Sequence, residues 1–202
     1  AERFLAAAHA CLPLPDDVPW DVGVLITGDG MGVPYHTSLK IADPAIETIA
    51  IFGVGPIGLG STLLQSYLGR VVIAVDIVPT RIELARALGA AHTINARDSD
   101  PVARIRELTG GRGADVCLEA AGRPETLKQC FAAVRTAGTV VMNGEQRKGE
   151  LSPSDDFIRR DITAVGAWFY HMAEFPAMLA LYRDGLPVTD LITHHYPLAD
   201  AQ

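Results

Sequence analysis

The 202-residue sequence predicts an α/β fold built on a doubly wound parallel sheet. Three observations carry that prediction. Short Val/Ile/Ala-rich runs without polar alternation recur along the chain, the pattern of strands buried on both faces. Amphipathic helical stretches separate them, opened by proline and closed by glycine. The first of these strands runs through ETIAIFGVGPIGLG into a helix, placing Gly53, Gly55 and Gly58 at the junction.

Taken in order, Glu47 to Val54 reads as the first strand, and the helix after it runs from about Pro56 to Leu68. Val71 to Asp76 is the second strand, and helix Pro79 to Leu88 ends at Gly89. A short strand near His92 to Asn95 leads to helix Pro101 to Leu108, which Gly110 and Gly111 stop. Asp115 to Glu119 is a further buried strand, Pro124 to Arg135 a helix and Thr139 to Met142 a strand. The series closes with a short helix around Asp156 to Asp161, a strand Ile162 to Phe169 and an amphipathic helix from Met172 to Arg183. In such a sheet the ligand crevice lies at the carboxyl ends of the strands.

The glycine spacing gives that crevice a chemistry. Gly53 permits a tight turn, Gly55 lets the backbone approach a pyrophosphate, and Gly58 lets the helix pack against the strand. The following helix turns free N–H groups and the positive end of its dipole toward the phosphates. Asp76 closes the second strand eighteen positions past Gly58, close to where a carboxylate accepts from an adenosine ribose. A carboxylate there repels a 2′-phosphate, so NAD is expected over NADP. Arg81, five residues on, either offers a cation to the same ribose or lies on a solvated helix face.

Composition narrows the remaining classes. A chain that is 49% hydrophobic and 20% charged is ordinary globular material, and a net charge of −7 without a basic stripe argues against nucleic acid. No apolar stretch reaches the length of a membrane span and no secretory leader is visible, so a cytoplasmic location is expected. Cys11, Cys117 and Cys130 are too scattered for a disulfide framework or metal knuckle, and the last two read as buried packing residues.

Eight segments, in order, resemble the medium-chain, zinc-type alcohol dehydrogenase superfamily: ACLPLPDDV, GVPYHTSLK, IFGVGPIGLG, VVIAVDIVPTRIELARALGA, GGRGADVCLEAAG, GTVVMNGE, ITAVGAWF and LITHHYPL. The resemblance implies a Rossmann cofactor domain over residues 29–190. Remnants of a second, GroES-like catalytic domain are implied at both ends, over 1–28 and 191–202. It implies a hydride-transferring enzyme that oxidises a small-molecule alcohol or polyol with NAD, and zinc in the full-length protein. It also implies a homodimer or homotetramer in which ITAVGAWFY is a candidate interface. The family's Cys and Gly-His-Glu zinc motifs are absent from this sequence.

By position, the resemblance puts Ile57, next to Pro56 in the glycine turn, against the nicotinamide ring and Asp76 and Arg81 at the adenosine ribose. Ala120 and Ala121 line the adenosine and bridging ribose, and backbone groups of Asn143, Ala167 and Phe169 fix the carboxamide. Asp29, six residues before Tyr35, occupies the place of the last catalytic metal ligand. A carboxylate is a competent zinc ligand. The alternative for Asp29 is a cap on a helix starting near Gly32.

Glu119 reads either as a general base or, more simply, as a structural acid satisfied by backbone N–H groups. His36 reads as a metal-site neighbour or a packed side chain, while His9, His92 and His171 have no partner by spacing. His194 and His195 are adjacent in an extended segment and point to opposite faces. Two further readings compete with the dehydrogenase. One is a zinc-free quinone or enoyl reductase, disfavoured by Asp76 and Asp29; the other is a dinucleotide-binding module without catalysis.

Overall fold

The computed structural model describes residues 5–200; residues 1–4 and 201–202, the outermost parts of the two expected flanking segments, lie outside the described residues. Helices α1 (Trp20–Ile26) and α2 (Gly32–Lys40) precede an alternating series. This runs β1 (Thr48–Phe52), α3 (Pro56–Tyr67), β2 (Val71–Asp76), α4 (Pro79–Ala87), β3 (His92–Asn95) and α5 (Pro101–Leu108). It continues with β4 (Ala114–Glu119), α6 (Pro124–Ala133), β5 (Val134–Met142), β6 (Thr163–Gly166) and α7 (Phe175–Arg183). The six strands are parallel, in the order β3-β2-β1-β4-β5-β6. Strand order therefore reverses beside β1, the place where such sheets bind ligands.

Two apolar layers cover the sheet, and the strands divide their side chains between them with the period of two. Ile49 and Ile51 join Val72, Ala74, Val116 and Leu118 under α1, α3 and α7. Ala50 and Phe52 join Ile73, Val75 and Cys117 under α5 and α6. Burial pushes the Cys117 and Cys130 thiols well above the ordinary range, which suits inert packing residues. Among the described residues no helix is long and apolar enough to cross a membrane.

Beneath the sheet's amino edge lies a buried charge. Asp115, at the start of β4, accepts from the N–H groups of Glu47 and Thr48 and from Arg135 Nε at 2.6 Å. Arg112 adds a longer ion pair at 3.2 Å. One carboxylate thus ties the entry of β1 to that of β5.

The structure differs from the sequence expectation in several places. The first strand stops at Phe52, not Val54, because Gly53 turns the chain at φ +89°. Helix α6 ends at Ala133 and β5 begins at once, five residues earlier than expected. In place of a helix over 156–161 there is a wide turn at Pro153–Phe157 and a tight one at Ile158–Arg160. Ser152 starts the first by accepting from the Asp155 N–H, and Arg160 reaches back to the carbonyls of Phe131 and Val134 at the end of α6. The sixth strand ends at Gly166, not Phe169. Phe169 adopts φ +51° and swings the chain outward, so that the Tyr170 ring covers the bare backbone of Gly32 and its hydroxyl donates to the Thr27 carbonyl.

Candidate functional site

The glycine turn is shaped by close approach at two of its three glycines. A methyl group on Gly53 would lie 2.7 Å from the Ala121 backbone nitrogen, and one on Gly58 only 1.9 Å from the Gly53 carbonyl oxygen. Gly55 differs, with no heavy atom within 4 Å of the corresponding position. That opening lies at the start of α3, where Pro56 removes one donor and the N–H groups of Ile57 and Gly58 have no intrahelical acceptor. An anion resting on Gly55 meets bare backbone and the positive end of a twelve-residue helix.

Two clefts flank this turn and share Ala120 and Ala121. One, of about 260 Å³, brings together Gly53, Gly55, Asp76 and Arg81. The other, of about 290 Å³, brings together Asp29, Ile57, Asn143, Ala167 and Phe169, with exposed Trp168 on its wall. The expected site residues thus converge on one groove along the carboxyl ends of β1, β2, β4 and β5. Pro56 faces a third cleft beside it, and Gly58 lies buried beneath the turn.

Asp76 is more committed than a ribose ligand alone requires. Its Oδ2 accepts the Val54 N–H at 2.8 Å, and its Oδ1 accepts those of Ile77 and Val78 at 2.7 and 2.9 Å. The carboxylate therefore holds the glycine turn against the end of β2 and keeps one lone pair of Oδ2 for an outside donor. Arg81 is exposed at the same cleft and forms no ion pair among the described residues.

Glu119, fully buried, has the structural role. Its Oε1 accepts from the N–H groups of Ala121 and Gly122 at 3.0 and 2.9 Å and from the Thr126 hydroxyl at 2.6 Å. It fixes the Ala120–Gly122 segment between the two clefts and is closed to any substrate. Replacing it by alanine strands two N–H groups and is expected to lower stability by about 2 kcal/mol. Glutamine, which keeps an acceptor there, should cost less than half as much; urea denaturation of the two variants separates them.

The backbone roles expected of Asn143 and Ala167 are narrowed by the fold itself. Their N–H groups donate within the sheet to Glu119 and Met142 carbonyls, and the Asn143 side chain donates to Thr37 Oγ1 and to the Ala167 carbonyl. The second lone pair of the Ala167 carbonyl and the Asn143 carbonyl are what they have left to offer. Asn143 Oδ1 is buried with no partner among the described residues.

Asp29 does not cap α2: the capping position belongs to Met31 and no side chain bonds there. Its carboxylate is exposed in the cleft. The loop that carries it is locked to the glycine-turn helix, since a methyl on Gly60 would lie 1.8 Å from the Gly30 carbonyl oxygen. Sequence reasoning also missed helix α1, whose Val22 and Ile26 are buried in the core. It missed as well that His171 has company, standing beside His36 and Glu174. His194 stacks instead on Tyr196 at the surface.

Residues 56–184 match the family model described as zinc-binding dehydrogenase. A sorbitol dehydrogenase of Bacillus subtilis is 30% identical over 191 residues, covering 94% of this chain and 54% of that protein. An L-threonine 3-dehydrogenase of Symbiobacterium thermophilum is 34% identical over 187 residues, covering 90% and 52%. An alcohol dehydrogenase structure from Thermotoga maritima aligns with a TM-score of 0.83 at 27% identity, covering 94% and 54%. The chain spans about half the length of the curated relatives it matches.

Proposed function

The chain belongs to the zinc-binding dehydrogenase family, and on that premise we propose that it is the cofactor-binding part of an NAD-dependent dehydrogenase acting on a secondary alcohol or polyol. The observation that carries this is the groove itself, with a bare glycine turn at its middle, a carboxylate at the ribose end and a second carboxylate, Asp29, at the other. The named activities of the sorbitol and threonine relatives support the reaction class. Cytoplasmic location and pairing of two copies along the open edge of β6 belong to the same proposal.

The residues divide the work by chemistry. Gly55 and the first turn of α3 bind the pyrophosphate, and the remaining lone pair of Asp76 accepts a ribose hydroxyl. Ile57 and Val33 give the nicotinamide an apolar wall, and the Ala167 carbonyl accepts from its carboxamide. Asp29 would supply one ligand of a catalytic zinc in the longer protein, and that ion would lower the pKa of the alcohol.

Fluorescence titration with NADH and NADPH tests the cofactor half of this reading. A 2′-phosphate would stand against the Asp76 carboxylate, so NADH is expected to bind at least about tenfold tighter, a difference of about 1.4 kcal/mol. Equal or reversed affinities would refute the role given to Asp76.

A further inference from the structure

His36 and Glu174 come from segments 138 residues apart, yet His36 Nδ1 lies 2.8 Å from Glu174 Oε1. Both side chains are nearly enclosed, each 12% exposed. The His171 ring stands edge-on to that of His36, with centroids 5.1 Å apart and planes at 77°. One donor atom from each of the three lies within 4.8 Å of the other two. From this convergence we infer that His36, His171 and Glu174 form a binding site for a divalent cation of zinc type.

The donor set suits such an ion. Two imidazoles and one carboxylate match the ligand chemistry of Zn²⁺, and three protein ligands leave a fourth position for water. Bond lengths of about 2.0 Å in a tetrahedral site place donors about 3.3 Å apart, so the observed spread closes by small side-chain rotations. His171 is the exposed member, and its ring gives up the cap it makes on the Glu174 N–H to reach the ion. Glu174 is already oriented: its Oε2 accepts the His171 backbone N–H at 3.2 Å in a reciprocal capping box, which leaves Oε1 facing His36. On binding, the ion takes the place of the proton between His36 Nδ1 and Glu174 Oε1, and the neutral imidazole carries its proton on Nε2.

The site would staple α2 to the segment between β6 and α7. Asp29 lies in the loop that leads into α2 and Phe169 in that segment, so the ion would stiffen one wall of the groove.

Calorimetric titration of the chelator-treated 202-residue chain with Zn²⁺ tests the inference, with Co²⁺ absorption as a second probe. One equivalent is expected, together with the visible band of tetrahedral Co²⁺. Glu174→Gln and His171→Ala should each weaken binding at least about tenfold. Neither is expected to change NADH affinity. Unchanged urea midpoints of both variants in chelator keep a folding defect from being mistaken for a lost ligand. Three results would overturn the site: no binding up to about 1 mM Zn²⁺, where affinity falls to the level of nonspecific contact; an equivalent that survives in both variants, as binding at surface His194 and His195 would; or one abolished by Asp29→Ala.

Discussion

Gly58→Ala is expected to destabilise the chain by about 3 kcal/mol or more and to abolish NADH binding. The added methyl would stand 1.9 Å from the Gly53 carbonyl oxygen and 2.9 Å from its carbon, and both belong to backbone that cannot rotate aside. Relief requires α3 to move off β1. That movement breaks the layer in which Leu59, Leu63 and Leu64 pack on Ile49 and Ile51, and it carries the helix start away from the phosphates. Gly55→Ala supplies the contrast. Its methyl meets nothing and its φ of −74° suits any residue, so stability should hold while cofactor affinity falls, the methyl occupying the space a pyrophosphate needs. Urea denaturation and NADH titration of both variants check the pair. A Gly58→Ala midpoint within 0.5 kcal/mol of the parent, allowing for about that error, would mean that the strand and helix are not locked as described.

Asp115→Ala should cost about 2–4 kcal/mol, because two N–H groups lose a buried charged acceptor. It strands the Glu47 and Thr48 N–H groups and takes the counter-charge from Arg135, which keeps its bonds to the Thr136 and Ala137 carbonyls. The native group also carries a pH signature. Burial raises its pKa, but the Thr48 N–H, Arg135, the Glu47 N–H and Arg112 together outweigh burial and hold the carboxyl below its ordinary value. A group depressed in the fold contributes stability above its unfolded pKa, about 3.9, and loses it as pH falls through the folded value. The parent should therefore lose stability below about pH 4, and Asp115→Asn, starting lower, should lose less over that interval. Denaturation midpoints taken from pH 7 down to pH 3 decide it; parallel curves would remove Asp115 from the account.

Legibility in the sequence followed the range of the interactions. Gly53, Gly55 and Gly58 were readable because a strand, a turn and a helix start are determined within a dozen residues. The same holds for α5, where Asp100 caps the Val102 N–H and Pro101 opens the helix. Glu119 was readable as a structural acid, since the two N–H groups it serves follow it directly in the chain. The end of β6 was not, because the chain beyond Gly166 leaves the sheet for a contact of Tyr170 with Gly32, far upstream in the sequence. Helix α1 was hidden by prolines at 13, 15 and 19, and its burial depends on packing against α7. The extra bonds of Asp76 lay out of view too, since Val54 reaches it only after β1 and β2 pair. His171 lacked a partner by spacing for the same reason: its neighbour His36 comes from another element.

The strand order has a kinetic consequence. The half containing β1, β2 and β3 can assemble as soon as residue 95 is available, but β1 must wait for β4 to cover its other edge, with Ile49 finding Val116 and Ile51 finding Leu118. Until then a strand whose last four residues are buried in the finished fold exposes a row of unpaired N–H and C=O groups, the kind of template on which chains aggregate. Docking of β4 is the late, long-range step that ends this exposure, and slow parallel pairing prolongs it. Refolding yield should thus be governed by the arrival of the fourth strand, whatever the stability of the finished fold.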